Sequence, residues 1–270
     1  MDVFKRKVAL VTGASRGVGF ATAQALAHRG ASVVITARGE KRLLQAHREL
    51  AGMGAQVASV TGDVGNWEDV RKMVRTAIDN FGRLDMLINN AGVSMRGELA
   101  DLAPEVCAQV VNTNLLGSIY PTRAAIEHLV EARGHVVFIS SIAGLFGMPG
   151  ASIYSATKAA LTTLAESLRL ELGAKGLHAG VVYLGFTEHD EEKRILAADG
   201  SLLPPDRPAH HTQAQAAELI LKLIEKRKHR LIMTPVGTLG WLAHRLSPDL
   251  VEEVIQQAKK GDWGIYRRFS

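Results

Sequence analysis

Short apolar runs rich in β-branched residues alternate with longer amphipathic segments along most of the chain. Runs of the first kind predict strands, and segments whose apolar residues recur every three or four positions predict helices. The predicted strands are 8–12, 32–37, 56–60, 84–89, 135–140, 178–183 and 230–233. The predicted helices are 17–29, 40–51, 66–81, 104–131, 152–172 and 213–228.

This alternation predicts an α/β fold with a doubly wound parallel sheet and right-handed crossovers. The predicted strands are nearly continuous apolar runs, which is typical of a sheet with helices on both faces. A chain of 270 residues suits one large domain, so we expect a single domain over 1–270. Sheets of this class bind ligands beyond the carboxyl ends of their strands.

Two segments depart from the alternation. Residues 187–212 follow a strand end, contain Pro204, Pro205 and Pro208, and have few core-like residues. This position favours a substrate lid over an ordinary surface loop. Residues 238–270 form an extension that we expect to be helical, with apolar residues at 239, 241, 242, 246, 250, 254 and 255. The extension could cover the substrate cleft, a subunit contact or a membrane surface.

Composition and charge exclude several classes of protein. Hydrophobic residues make up 47% of the chain and charged residues 22%, which supplies enough apolar material for a buried core. The formal net charge is +5, and the basic run 226–230 follows a predicted helix, where cations suit the negative end of the helix dipole. We therefore expect no nucleic-acid partner. The single cysteine, Cys107, excludes an intrachain disulfide and a cysteine-based zinc site, and we predict no metal.

The start of the chain, MDVFKRK, is charged and leads directly into a strand, unlike a secretory signal. No segment approaches the run of about 18 apolar residues that is typical of a membrane-spanning helix. We therefore expect a cytoplasmic protein with no integral membrane segment.

The first predicted strand ends in the glycine-rich sequence TGASRGVG, which leads into a helix. The first glycine permits a tight turn, and the others let backbone approach a pyrophosphate and let the helix pack closely. The helix N-terminus then presents unpaired amides and a positive dipole end to the phosphates. The position between a strand and a helix predicts a dinucleotide site. Its contacts in this loop are Gly13, Ser15, Arg16, Gly17, Val18 and Gly19.

The end of the second strand distinguishes the two nicotinamide cofactors. NAD sites place a carboxylate there for the ribose 2′-hydroxyl, but this strand ends at Ala37 and Arg38, with no carboxylate before Glu40. Arg38 and Arg16 are instead able to converge on a 2′-phosphate, for which guanidinium groups are suited. The sequence therefore predicts NADP(H) as the cofactor.

Tyr154 and Lys158 lie four residues apart in the sequence YSATK, on one face of a predicted helix. The pKa of a free tyrosine is about 10, and an adjacent lysine cation moves it toward the working range of proton exchange. Ser141 follows the fifth predicted strand, where its hydroxyl could hydrogen-bond a substrate carbonyl or alkoxide. These residues predict acid/base chemistry at the carboxyl edge of the sheet.

Together, TGASRGVG, the sequence NNAG at 89–92, Asn114, Ser141 and YSATK resemble the short-chain dehydrogenase/reductase family, over about residues 5–185. The resemblance implies a Rossmann-type sheet with strand order 3-2-1-4-5-6-7, assembled as a homodimer or homotetramer. It implies an oxidoreductase that transfers a hydride between NADP(H) and a carbonyl or secondary alcohol, its small-molecule substrate.

The resemblance also implies a role for each matching residue. Tyr154 would be the general acid/base, Lys158 would lower its pKa and hold the nicotinamide ribose, and Ser141 would orient the carbonyl. Asn114 would hold a water in the proton relay. The remaining cofactor contacts would be Asp63 and Val64 beside the adenine, Asn90, Ala91 and Gly92 along the cleft, and Gly185 and Thr187 near the nicotinamide.

The chain departs from the family pattern in places. Family members usually carry Pro-Gly after the sixth strand, where this chain has Leu184 and Gly185. The extended tail is more similar to members that act on lipophilic alcohols and ketones.

Two alternatives use the same scaffold. One is a non-catalytic NADP(H)-binding sensor or interaction protein, which the complete set of Asn114, Ser141, Tyr154 and Lys158 argues against. The other is an epimerase or dehydratase, which usually has a longer substrate domain than the segment after Gly185.

Overall fold

A computed structural model describes residues 2–188, 192–205 and 209–260. The strands are β1 (Val8–Thr12), β2 (Ser32–Ala37), β3 (Val57–Thr61), β4 (Met86–Asn89), β5 (His135–Ser141), β6 (His178–Leu184), β7 (Ile195–Leu196), β8 (Leu202–Leu203) and β9 (Arg230–Ile232). The helices are α1 (Gly17–His28), α2 (Glu40–Gly52), α3 (Trp67–Phe81), α4 (Pro104–Val111), α5 (Gly117–Glu131), α6 (Ser152–Leu172), α7 (Gln213–Glu225), α8 (Pro235–Leu246) and α9 (Pro248–Lys260).

Seven of these strands form one parallel sheet in the order β3-β2-β1-β4-β5-β6-β9. This is the predicted order, with β9 as the seventh strand of the sheet, and it confirms the doubly wound fold. The order reverses between β1 and β4, so the loops after these two strands diverge and leave a crevice at their carboxyl ends.

Helices cover both faces of the sheet because successive strand residues point to opposite sides. Val8 and Leu10 pack on one face with side chains of α3, α5 and α6. Ala9 and Val11 pack on the other face with side chains of α1, α2 and α7. All four are buried, which explains the unbroken apolar runs in the sequence.

The single helix predicted over 104–131 is wrong in its middle. α4 ends at Val111, a π-helical turn covers Asn112–Leu116, and α5 begins at Gly117. A π turn inserts one extra residue into the helix and is frequently found at functional sites. It contains Asn114, which the uniform helical period of the sequence placed on an ordinary helix.

The segment after β6 is more ordered than its sequence suggested. β7 and β8 form an antiparallel hairpin, and Ile195 and Leu196 are buried, which corrects the expectation of few core-like residues. Leu196 packs with Met95, Leu102 and other side chains in a small apolar cluster separate from the two faces of the sheet. The predicted lid includes 189–191 and 206–208, and so Pro208, which lie outside the described residues.

The C-terminal extension is helical, as expected. α8 packs at Gly240 close to the Phe146 ring and at Gly237 close to Ile142, so it lies beside the loop that follows β5. The part of the extension over 261–270 lies outside the described residues. Among those described, no helix combines the length and the apolar character that crossing a membrane requires.

Candidate active site

The glycine-rich loop joins β1 to α1 in a conformation that suits phosphate oxygens. Gly13 and Gly17 have φ values of +64° and +62°, in the left-handed region that favours glycine. A Cβ on Gly17 would meet no atom within 4 Å, so the backbone there is open on that side. No side chain caps the first turn of α1, and that turn carries no carboxylate. The loop therefore fits an anionic pyrophosphate.

The loop is fixed by the residues that follow β4. Asn90 donates through Nδ2 to the carbonyl oxygens of Thr12 and Gly13, at 2.9 and 3.1 Å. The Thr12 hydroxyl accepts from the backbone amides of Asn90 and Ala91, both at 3.0 Å. A Cβ on Gly19 would lie 2.4 Å from Asn90 Nδ2, so only glycine fits there without displacement. The sequence interpretation missed Thr12; its polar hydroxyl inside an otherwise apolar strand was the available signal.

Charged side chains follow β2 and β3 at the carboxyl edge of the sheet. Arg38 Nη1 lies 3.9 Å from Asp63 Oδ2, and 56% of the Arg38 side chain is exposed. Asp63 Oδ1 also accepts from the Gly65 amide at 2.8 Å, and Val64 is buried. The structure thus brings Arg38 and Asp63 together, with most of the guanidinium facing solvent.

A second arginine from this region was missed by the sequence interpretation. Arg42, in the first turns of α2, lines a cavity of about 200 Å³ with Ser15, Arg16 and Gly17. Its Nη1 lies 2.6 Å from Glu192 Oε2, in the segment after β6. The position of Arg42 in the first turn of the helix that follows β2, close to the end of that strand, was the available signal.

Tyr154 and Lys158 lie on α6 as predicted. Lys158 Nζ is 5.8 Å from the centroid of the Tyr154 ring and donates to the Ile139 carbonyl oxygen at 2.8 Å. Burial lowers the pKa of Lys158 to about 8, with a further contribution from the charge of Lys193. At neutral pH, which lies below this pKa, Lys158 is therefore still mostly in its ammonium form.

Asn114 is completely buried in the π turn and joins the crevice to α6. Its Oδ1 accepts from the Val93 amide at 2.8 Å and its Nδ2 donates to the Val93 carbonyl at 2.9 Å. Nδ2 also lies 3.3 Å from the Thr157 hydroxyl. A Cβ on Gly92 would be 3.2 Å from Asn114 Oδ1 and 3.4 Å from Lys158 Nζ. Gly92 therefore leaves a small recess between these two side chains.

Ser141 is the last residue of β5, at the carboxyl edge of the sheet. Its Oγ accepts from the Ala143 amide at 3.2 Å, which leaves its own proton to donate. The neighbouring Ser140 donates to the Lys158 carbonyl at 2.8 Å and ties β5 to α6. The two serines thus have different surroundings, and Ser140 is the more buried of them.

Gly185 and Thr187 follow β6 at the same edge of the sheet. Thr187 is buried, donates to the Gly185 carbonyl at 3.2 Å and forms an isolated bridge with His211. This bridge joins the two ends of the segment that contains the hairpin. Thr187 therefore joins the beginning of that segment to its end.

The wall beside Tyr154 is apolar. The cluster around Leu196 includes Met95 and Val106, and Tyr154 and Ile153 pack against it. No group of three potential ligands for a metal ion occurs within the described ranges. A tyrosine that packs against this apolar wall, a buried ammonium on the same helix and a half-buried hydroxyl at the end of β5 suit proton exchange with a polar group on an apolar molecule.

A family model described as short chain dehydrogenase matches residues 7–199. The chain belongs to this family. The family comprises oxidoreductases, and the match covers Tyr154 and Lys158 on α6.

Relatives with curated descriptions agree with the family match. The chain is 32% identical to an uncharacterised oxidoreductase, YxnA, of Bacillus subtilis, over 96% of this chain and 75% of that protein. It is 37% identical to 11-beta-hydroxysteroid dehydrogenase-like 4A of Arabidopsis thaliana, over 72% of this chain and 65% of that protein. Among solved structures, a short-chain dehydrogenase/reductase of Burkholderia phymatum in complex with NAD superposes with a TM-score of 0.82 at 25% identity, covering 93% of this chain and 96% of the other.

Proposed function

We propose that this short-chain dehydrogenase transfers a hydride between NADP(H) and a carbonyl or secondary alcohol, with Tyr154 as the general acid/base. The observation that carries the proposal is the buried Lys158, whose Nζ lies 5.8 Å from the Tyr154 ring centroid and close to the recess at Gly92. Burial penalises the charge of an ammonium group, and groups perturbed in this way cluster at functional sites. Here the ammonium would hold the Tyr154 phenolate and a ribose hydroxyl of the cofactor.

The glycine loop and the edge after β4 would hold the cofactor. The open amides around Gly17 would take the pyrophosphate, and Gly92 would leave room for the nicotinamide ribose. Asp63 and Val64 would lie beside the adenine, and Gly185 and Thr187 beside the nicotinamide. When bound, the nicotinamide supplies or accepts the hydride.

The side chains of this protein would manage the proton. In reduction, Ser141 donates a hydrogen bond to the substrate oxygen and Tyr154 gives it a proton. The Lys158 ammonium favours the resulting phenolate by charge attraction. Asn114 positions the Val93 backbone beside the site through its two hydrogen bonds, so it acts as a positioning residue. Oxidation runs these steps in reverse.

The apolar wall beside Tyr154 supports a lipophilic substrate. Met95, Val106 and Leu196 offer no hydrogen-bond donor or charge to a bound molecule. The similarity to a protein named for a hydroxysteroid dehydrogenase points to the same class of substrate. By family resemblance we also propose a homodimer or homotetramer, and as a separate proposal we retain the expected cytoplasmic location.

The catalytic proposal is tested with Tyr154→Phe. A panel of lipophilic ketones and secondary alcohols is first followed at the nicotinamide absorbance with both cofactors, to find a substrate for the unaltered protein. We expect the turnover number of the variant to fall by about 10²–10⁴-fold, since it lacks the proton donor. Cofactor affinity remains because the ring is kept. Turnover close to the unaltered value in the variant would refute the role of Tyr154.

The cofactor preference is tested with the double variant Ala37→Asp/Arg38→Leu. We expect the unaltered protein to bind NADP(H) at least about tenfold more tightly than NAD(H), because charge-assisted hydrogen bonds to the 2′-phosphate contribute about 1.5–3 kcal/mol each. The double variant removes one such partner and adds an acceptor for the ribose hydroxyl, so the ratio shrinks or reverses. Fluorescence titration of both cofactors measures it. A preference of the unaltered protein for NAD(H), the cofactor in the Burkholderia structure, or an unchanged ratio in the variant, would overturn the proposal.

A further inference from the structure

The C-terminal helices expose a row of large apolar side chains. The apolar face consists of Val236, Leu239, Leu242 and Leu246 on α8 and of Leu250 and Val254 on α9, which are exposed by 80%, 69%, 46%, 87%, 56% and 58%. The spacing of three or four residues puts the α8 members on one side of that helix. Single exposed leucines are common, whereas several large apolar side chains exposed on one side of a helix are typical of a surface that binds a partner or a membrane.

Cations adjoin the apolar face. α8 runs back along β9, so that the Arg230 guanidinium lies 4.5 Å from the centroid of the Trp241 ring, and the Arg245 guanidinium lies 5.4 Å from the same ring. Arg230 ends the basic run 226–230, in which Lys226, Arg227, Lys228 and His229 are all exposed. The basic run, which the proposed function leaves unused, therefore ends in a residue that contacts α8.

Carboxylates are unevenly distributed between α8 and α9. α8 contains no acidic residue, and its last turn carries His244 and Arg245. α9 carries Asp249, Glu252 and Glu253 together with Lys259 and Lys260. Around the apolar face, the positive charge therefore lies on Arg245 of α8 and on the basic run, whereas α9 has three carboxylates and two lysines.

We propose that the apolar face and its flanking cations form a surface that binds peripherally to anionic lipid bilayers. The leucines would enter the boundary between headgroups and acyl chains, and the cations would pair with lipid phosphates. A second copy of the chain fits less well, because in a contact between two copies of α8 the Arg245 guanidinium would meet no carboxylate, since α8 contains none. Vesicle binding is measured without turnover, so the proposal stands or falls separately from the proposed function.

The test is co-sedimentation of the full chain with vesicles. Two compositions are compared, phosphatidylcholine alone and phosphatidylcholine with roughly 30% phosphatidylglycerol, each at low and high salt. We expect at least about tenfold tighter binding to the anionic vesicles, weakened by salt. Leu239→Ser/Leu246→Ser should lower the affinity by at least about tenfold, since two apolar side chains no longer insert. Lys226→Gln/Lys228→Gln should reduce the preference for anionic lipid.

Leu170→Ser is the matched control, because Leu170 is 87% exposed on α6, outside the apolar face. It should leave vesicle binding unchanged, and circular dichroism with thermal unfolding checks that each variant is folded. Three results would overturn the proposal: no binding to either vesicle, equal loss in the Leu170 control, or a concentration-dependent dimer that the Leu239/Leu246 variant dissociates. The last result would assign the face to a second copy.

Discussion

At the scale of single residues, the candidate site depends on small side chains as much as on reactive ones. Gly19 sits where a Cβ would lie 2.4 Å from both Asn90 Nδ2 and the Gly13 carbonyl oxygen. Both atoms belong to the loop that the proposed function assigns to the cofactor. Any larger residue at position 19 must therefore displace the loop itself.

We expect Gly19→Ala to lower the free energy of unfolding by about 1–3 kcal/mol, the usual effect of overpacking, and to weaken cofactor binding at least about tenfold. Gly52→Ala is the control: Gly52 is also helical, and an added Cβ meets nothing within 4 Å. That change should stabilise the protein by about 0.5–1 kcal/mol because alanine loses less backbone entropy. Urea denaturation and cofactor titration measure both. Equal effects of the two substitutions would contradict this account of Gly19.

At the scale of elements, the hairpin of β7 and β8 connects the apolar wall to the rest of the chain. Leu196 exchanges backbone hydrogen bonds with Ser94 and Arg96 at 2.9 and 2.8 Å, and its side chain is buried. The hairpin is thus attached to the loop after β4, whose Asn90 and Gly92 line the crevice. That the larger segment 187–212 acts as a lid remains a prediction, tested by hydrogen exchange with and without ligands.

Leu196→Ala should detach the hairpin locally. Removing a buried leucine side chain costs about 2–5 kcal/mol, more than a two-stranded hairpin is expected to withstand alone. We expect faster hydrogen exchange over 192–205 and a raised KM for lipophilic substrates. Leu202→Ala, on the partner strand, is the control, because Leu202 is 64% exposed. Equal rates of hydrogen exchange over 192–205 in the two variants would refute the role of Leu196 in anchoring the hairpin.

At the scale of the whole molecule, the edge of the sheet opposite the candidate site contains one buried and one half-buried histidine. His135 and His178 begin β5 and β6, pair across them, and have ring centroids 5.2 Å apart. Burial, with repulsion from His178 and Arg227, lowers the pKa of His135 to about 3. Burial and the charge of Arg227 lower the pKa of His178 to about 4. Both side chains are therefore neutral in the native state at neutral pH.

This pair should make the fold sensitive to acid. An unfolded histidine takes up a proton near pH 6.5, whereas these two resist protonation until about pH 3–4. As pH falls below about 6.5, proton uptake therefore favours the unfolded chain, and stability is lost progressively down to the native pKa values. We expect His135→Leu to lower the midpoint of acid unfolding by roughly half a pH unit, followed by circular dichroism. The control is His28→Leu, at an exposed histidine, which should leave the midpoint of acid unfolding unchanged. An equal shift of the midpoint in this control would exclude the pair of His135 and His178 as the cause.

The sequence by itself determined the parallel sheet and the common helix face of Tyr154 and Lys158, and the family resemblance supplied the strand order. Apolar runs and helical periods are local properties, and the four-residue spacing of Tyr154 and Lys158 fixes their common face on any helix. The observed strand ends differ from the predicted ones by at most two residues. The last hydrogen bond of a strand depends on its pairing with neighbouring strands, which no local sequence pattern contains. The glycine loop was equally local, since its turn depends on its own backbone angles.

Only the tertiary structure decided the features that depend on distant contacts. The π turn at Asn114 exists where the side chain bonds the Val93 backbone, 21 residues away, and α4 meets α5. The hairpin had a local signal in Asp199 and Gly200, a typical hairpin turn pair, yet its strands have only two residues each. Their burial depends on the side chains around Met95. The partners of Arg42 and the exposure of the apolar face likewise follow from how elements pack, because burial is a property of the assembled molecule and not of a residue's type.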